Sequence, residues 1–125
     1  MGLDMFGFSV PKDADLNDES TQQVELMYWR KFNALHGWME DLWRSRGGSS
    51  TGEWNEFNCV AIQLTEKDLD DLLFAVTYDE LVPREGFFFG SQEIHPDDVK
   101  DTYKFIVRAR QAIKEGSDVY YDSWW

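Results

Sequence analysis

The chain has 125 residues, room for one domain, and its 6 Trp, 5 Tyr and 9 Phe supply enough apolar mass to fill a core without metal or disulfide staples. It carries 24 acidic against 12 basic side chains, a net charge of -12, so phosphate backbones are repelled at long range and direct nucleic-acid binding is not expected. The single Cys59 excludes an internal disulfide and a zinc-finger ligand set, and no apolar run approaches the roughly 20 residues that cross a bilayer.

The start, MGLDMFGFSVPKDAD, lacks the basic and apolar regions of a signal peptide. Residues 1–19 read as an acidic, peripheral N-terminal arm, in which Phe6, Phe8 and Val10 alternate and suit either a short added strand or packing against the core. Residues 20–125 read as a single domain. Within it, residues 20–45 are expected to form the dominant helix, capped by Ser20 or Thr21. At 100° per residue Val24, Tyr28, Phe32, Leu35, Met39, Leu42 and Trp43 share one face, which is assigned to the core. Arg44 and Arg46 suit the negative end of this helix and Gly47 stops it. The run Gly47–Gly52 is a loop without the Lys-Ser/Thr pair of a phosphate loop.

Residues 57–64 alternate as a strand with Val60, Ile62 and Leu64 inward. Thr65 and Asp68 have capping-box spacing, opening a short helix with the stripe Leu69, Leu72, Leu73 and Val76. Residues 77–95 are irregular and contain Gly86-Phe87-Phe88-Phe89-Gly90-Ser91, three aromatics bracketed by glycines. Pro96 opens a last helix with Val99, Tyr103, Ile106 and Ile113 inward, and Gly116 ends it. The tail from Asp118 alternates and is expected to pair with residues 58–64. The sum is an α+β fold: a long amphipathic helix and two shorter ones on a small antiparallel sheet.

Three groups of residues are candidates for function. Trp29, Asn33, His36 and Glu40 fall on one lateral stripe of the long helix, with Arg30 beside them. An indole, an amide, an imidazole and a carboxylate in a row suit a small polar ligand or a peptide, and Glu40 stands four residues from His36, where it can orient the ring. As an acid–base pair these two would still lack a nucleophile or metal, so an enzyme is not expected. The Phe88 turn is either a plug in the core or the lid of a pocket over that helix edge. Lys100, Lys104 and Arg108 form a basic stripe that suits a solvated face. His36, Cys59 and His95 are too scattered for a metal site, and no cofactor motif is present.

The segment Tyr28–Trp38, with its WRK-x-N-x-x-H-x-W pattern, the GFFFGS run of Gly86–Ser91 and the closing Tyr120–Trp124 resemble, in the same order, a family of small, mostly uncharacterised tailed-bacteriophage proteins. The arm 1–19 lies outside the resemblance. The resemblance implies that Trp29, Arg30, Asn33, His36 and Trp38 act as one unit with Phe88 and Ser91, and that the chain is a bacteriophage protein of the host cytoplasm. The leading expectation is a non-enzymatic accessory protein that binds and inhibits or redirects a host protein, with nucleic-acid mimicry as a variant. The alternative is a nucleotide-sequestering protein with a pocket between the long helix and the Phe88 turn. No cofactor and no membrane are expected as partners, and the terminal Trp124-Trp125 pair suggests a homodimer contact.

Overall fold

A computed structural model of the chain describes residues 3–48, 57, 59–83 and 94–124. The order is β1 (Asp4–Pro11), β2 (Val24–Arg30), α1 (Asn33–Ser45), β3 (Ile62–Leu64), α2 (Glu66–Thr77), α3 (Pro96–Lys114) and β4 (Ser117–Trp124). The strands form one antiparallel sheet in the order β2-β1-β4-β3. The fold is α+β, as the sequence pattern predicts.

Two expectations at the start of the chain are corrected. Asp4–Pro11 is no peripheral arm but an inner strand, paired along its length with β4 and over most of it with β2. Only the acidic stretch after it is a loop, and its Asp13 amide donates to the Asp118 carboxylate at 2.9 Å. The helix expected over 20–45 is also two elements. Residues 24–30 are a strand, and Lys31, at φ 59°, turns the chain into a helix that begins only at Asn33. Ser20 and Thr21 therefore cap nothing: their hydroxyls donate to Asp18 and to the Asp15 carbonyl. Val24 and Tyr28, assigned to the core face, are 58% and 42% exposed. From Phe32 onward the helical stripe is correct, with Phe32, Leu35 and Met39 buried.

The later elements follow their local signals more closely. Thr65 and Asp68 make both halves of the capping box at α2. α1 ends at Ser45 with Gly47 at φ +95°, a conformation glycine reaches without a Cβ clash. β4 pairs with β3 as expected, but β3 spans only Ile62–Leu64; upstream, Cys59 sits at φ 60° and its amide donates to the Ser123 carbonyl at 2.8 Å. In α3 the inward face centres on Thr102, Phe105, Ile106, Ala109 and Ala112, which moves Tyr103 to its exposed flank. The Gly86–Ser91 run and the loop beyond Gly48 lie outside the described residues.

The strand register divides the side chains between two faces. Met5, Gly7 and Ser9 of β1, Met27 and Trp29 of β2, Ile62 and Leu64 of β3, and Val119, Tyr121 and Ser123 of β4 point one way. Most of them join one core cluster with Leu35 and Met39 of α1, Leu69 and Leu72 of α2, and Phe105 and Ala109 of α3. Gly7 is the point of closest approach, because a Cβ there would collide with the Phe105 ring. Trp29 meets the same ring edge-on, with centroids 5.1 Å apart. Gly7→Ala is therefore expected to lower stability by about 1–3 kcal/mol in chemical denaturation, the cost of overpacking a filled core; an unchanged midpoint would contradict this packing.

Candidate functional site

Trp29, Arg30, Asn33, His36 and Glu40 do not form one lateral stripe. Trp29 and Arg30 are consecutive strand residues and so project to opposite faces of the sheet. The indole is buried and its Nε1–H donates to Thr102 Oγ1 at 3.2 Å, while Thr102 donates on to the Asp98 carbonyl at 2.8 Å. Arg30 sits across from Asp4 on the face away from the helices. Asn33, His36 and Glu40 do share α1, but all three are buried. Phe88 and Ser91 lie outside the described residues.

His36 is the centre of this interior cluster. It is 0% exposed, and its Nδ1 shares a 2.7 Å hydrogen bond with the Tyr121 hydroxyl. Its ring stacks on Phe57 at 5.2 Å, and Phe57 in turn stacks on Trp43 and Tyr121. Burial pushes the Tyr121 phenol well above its ordinary value, with the Asp122 charge adding to the effect. Glu40 faces the Arg44 guanidinium at 3.5 Å, one turn along α1. The arrangement ties α1 to β4 through the buried hydrogen bond between His36 and Tyr121. Both the imidazole and the Glu40 carboxylate are buried rather than open to a solvent-facing cleft among the described residues. Trp29 is likewise closed to a nucleotide base.

Tyr121→Phe removes the phenol and is expected to cost about 1–3 kcal/mol at neutral pH, the range for a buried hydrogen bond broken on one side. The raised phenol has a second consequence. The fold favours its neutral form, so its contribution to stability is full below the unfolded value of 10.0 and is lost as pH rises towards the folded one. Denaturation midpoints should fall above pH 10 in the wild type and less steeply in Tyr121→Phe; parallel pH profiles would contradict the assignment.

The opposite face of the sheet carries a different chemistry. Asp4, Phe6, Phe8 and Val10 of β1 point there, with Glu25, Tyr28 and Arg30 of β2, Gln63 of β3, and Asp118, Tyr120, Asp122 and Trp124 of β4. The aromatic side chains pair across the strands: Phe6 with Tyr28 at 5.4 Å, and Phe8 stacked on Tyr120 at 5.8 Å. The Tyr28 hydroxyl donates to Asp4 at 2.5 Å, which raises the phenol. Trp124 is 64% exposed at the end of β4. Among the described residues four carboxylates on this face meet one guanidinium, that of Arg30.

The sequence reading missed this face, although the alternation of Phe6, Phe8 and Val10 is its signal. A cleft of about 220 Å³ opens on it between Phe6, Phe8, Gln23, Glu25 and Asp122. Asp122 is half-buried, and desolvation raises its carboxyl above 3.8, offset in part by the Ser123 amide that donates to it at 2.7 Å. A carboxyl shifted upward adds stability when protonated, below pH 3.8, and loses that contribution as pH rises through the folded value. At pH 7 the charged Asp122 is thus a cost to the fold. Asp122→Asn is expected to leave thermal stability at neutral pH unchanged or raised; a clear loss would mean that its charge is compensated in the free protein.

The acidic run of α2 is less available. Asp68 pairs with Arg46, Asp71 with Lys67 at 2.8 Å, and Asp70 with Arg110. In the basic stripe of α3, Arg108 donates to the Leu26 carbonyl at 2.8 Å and anchors β2, while Lys100 and Lys104 are exposed. Among the described residues no group of His, Cys, Asp and Glu could hold a metal ion, and no helix is long and apolar enough to cross a membrane. No family model, no curated protein and no solved structure matches the chain.

Proposed function

We propose that the chain is a small acidic accessory protein that acts by binding a partner protein, without chemistry of its own, and that the open face of the sheet is its docking surface. The observation that carries this reading is the face itself: Tyr28 and Trp124 stand exposed among Asp4, Glu25, Asp118 and Asp122. Aromatic side chains bring large contact area at low entropy cost and dominate binding energies where they are desolvated. The surrounding carboxylates favour a partner with a basic surface and steer its approach. The setting comes from the motif resemblance alone: a bacteriophage protein in the host cytoplasm that inhibits or redirects a host protein. Mimicry of a nucleic acid would draw on this face rather than on α2, where Asp68, Asp70 and Asp71 are engaged in ion pairs.

The test is capture from a bacterial lysate by the wild type, by Tyr28→Ala/Trp124→Ala and by Phe74→Ala, which alters an exposed aromatic of α2 well outside the sheet. Proteins held by the wild type and by Phe74→Ala should fall by at least about 30-fold with the double variant, as expected for hot-spot aromatics worth about 2 kcal/mol. An identical set of retained proteins across all three would refute the docking surface, as would the absence of any saturable partner.

A further inference from the structure

We propose that the cleft lined by Phe6, Phe8, Gln23, Glu25 and Asp122 receives an arginine side chain of the partner protein. This rests on the open face being the docking surface and adds the chemistry that the surface selects. The cleft of about 220 Å³ has one wall of aromatic carbon, from Phe6 against Tyr28 and Phe8 against Tyr120. Its other lining residues are an amide, Gln23, and two carboxylates, Glu25 and Asp122. Among the described residues neither carboxylate has an ion-pair partner.

That pairing of walls selects the guest. A guanidinium is planar and weakly hydrated; it stacks on aromatic faces and presents a fork of N–H donors to a carboxylate. An ammonium holds its water more tightly and fits the flat wall less well. A divalent metal needs a shell of oxygens, which the phenyl wall does not give. The half-buried Asp122 adds a driving force, because a carboxylate partly removed from water gains more from an incoming cation than one in bulk solvent. Phe8 is buried and held by its stacking on Tyr120, so the wall is in place before the guest arrives.

The test uses the full chain and a capped single amino acid, N-acetyl-arginine methylamide, followed by amide chemical shifts in two-dimensional NMR. A lone side chain binds weakly, so saturation is expected on the order of 1–10 mM. The shifts should centre on the amides of Phe6, Phe8, Glu25 and Asp122. Capped citrulline, of the same shape but neutral, should bind at least about tenfold more weakly, and Glu25→Gln/Asp122→Asn should weaken capped arginine by a similar factor. Both replacements keep side-chain size, Glu25 is exposed, and Asp122→Asn is expected to fold, so the pair isolates charge. Equal binding of arginine and citrulline, equal or tighter binding of capped lysine, or undiminished binding by the charge-neutral variant would overturn the proposal. If capped arginine leaves the cleft amides unmoved while lysate partners still depend on Tyr28 and Trp124, the arginine pocket fails and the docking face stands. If arginine binds saturably and no lysate partner depends on the face, the pocket stands and the protein-docking reading fails.

Discussion

The structure depends on the pairing of β1 on both of its edges. An inner strand has its amides and carbonyls in ladders on each side and so holds its neighbours in register. Here it brings together segments from both ends of the chain: Met5 lies between Trp29 and Ser123, and Phe6 between Tyr28 and Asp122. Gly7 in the same strand lets Phe105 of α3 lie close against the sheet. Remove β1 and the two faces of the sheet lose their common reference.

That reference separates two kinds of polar chemistry. Towards the helices, His36, Tyr121, Asn33 and Glu40 are buried, and the His36–Tyr121 hydrogen bond, packed against Phe57, joins α1 to β4. Buried polar groups of this kind are costly unless matched, and their matching favours one arrangement of the helix over its alternatives. Away from the helices, carboxylates and aromatic rings share a surface on which Asp122 is charged at the expense of stability. The residue types that look most catalytic in the sequence thus lie inside the fold, and the face proposed for docking is built on the strand at the start of the chain.

How far the sequence revealed this depends on the range of the forces involved. The capping box at Thr65, the proline start of α3 and the glycine end of α1 are signals within one or two turns, and each lies where it was read. The tail strand and its partner were legible because β4 alternates without interruption. β2 was not legible, for two physical reasons. A bulge places Leu26 opposite the Gly7/Phe8 step, so Glu25 and Met27 fall on opposite faces and the period of two is broken. The helix then begins only three residues beyond the strand, so its 3.6-residue period extends backward over Val24 and Tyr28 by coincidence. The same false continuity sets Trp29 beside His36 on a helical wheel through both elements, whereas the left-handed turn at Lys31 separates them. The cleft was out of reach because it joins Phe6 and Asp122, a pairing that only long-range strand order creates.

The most direct measurement is native-state hydrogen exchange of the β1 amides. If β1 is the inner strand of the sheet, the amides of Met5 through Ser9 open only with global unfolding, and their exchange free energies match the denaturation free energy. Exchange of those amides at the rates of a solvated loop, with β4 still protected, would put β1 outside the sheet and remove the face on which the account is built.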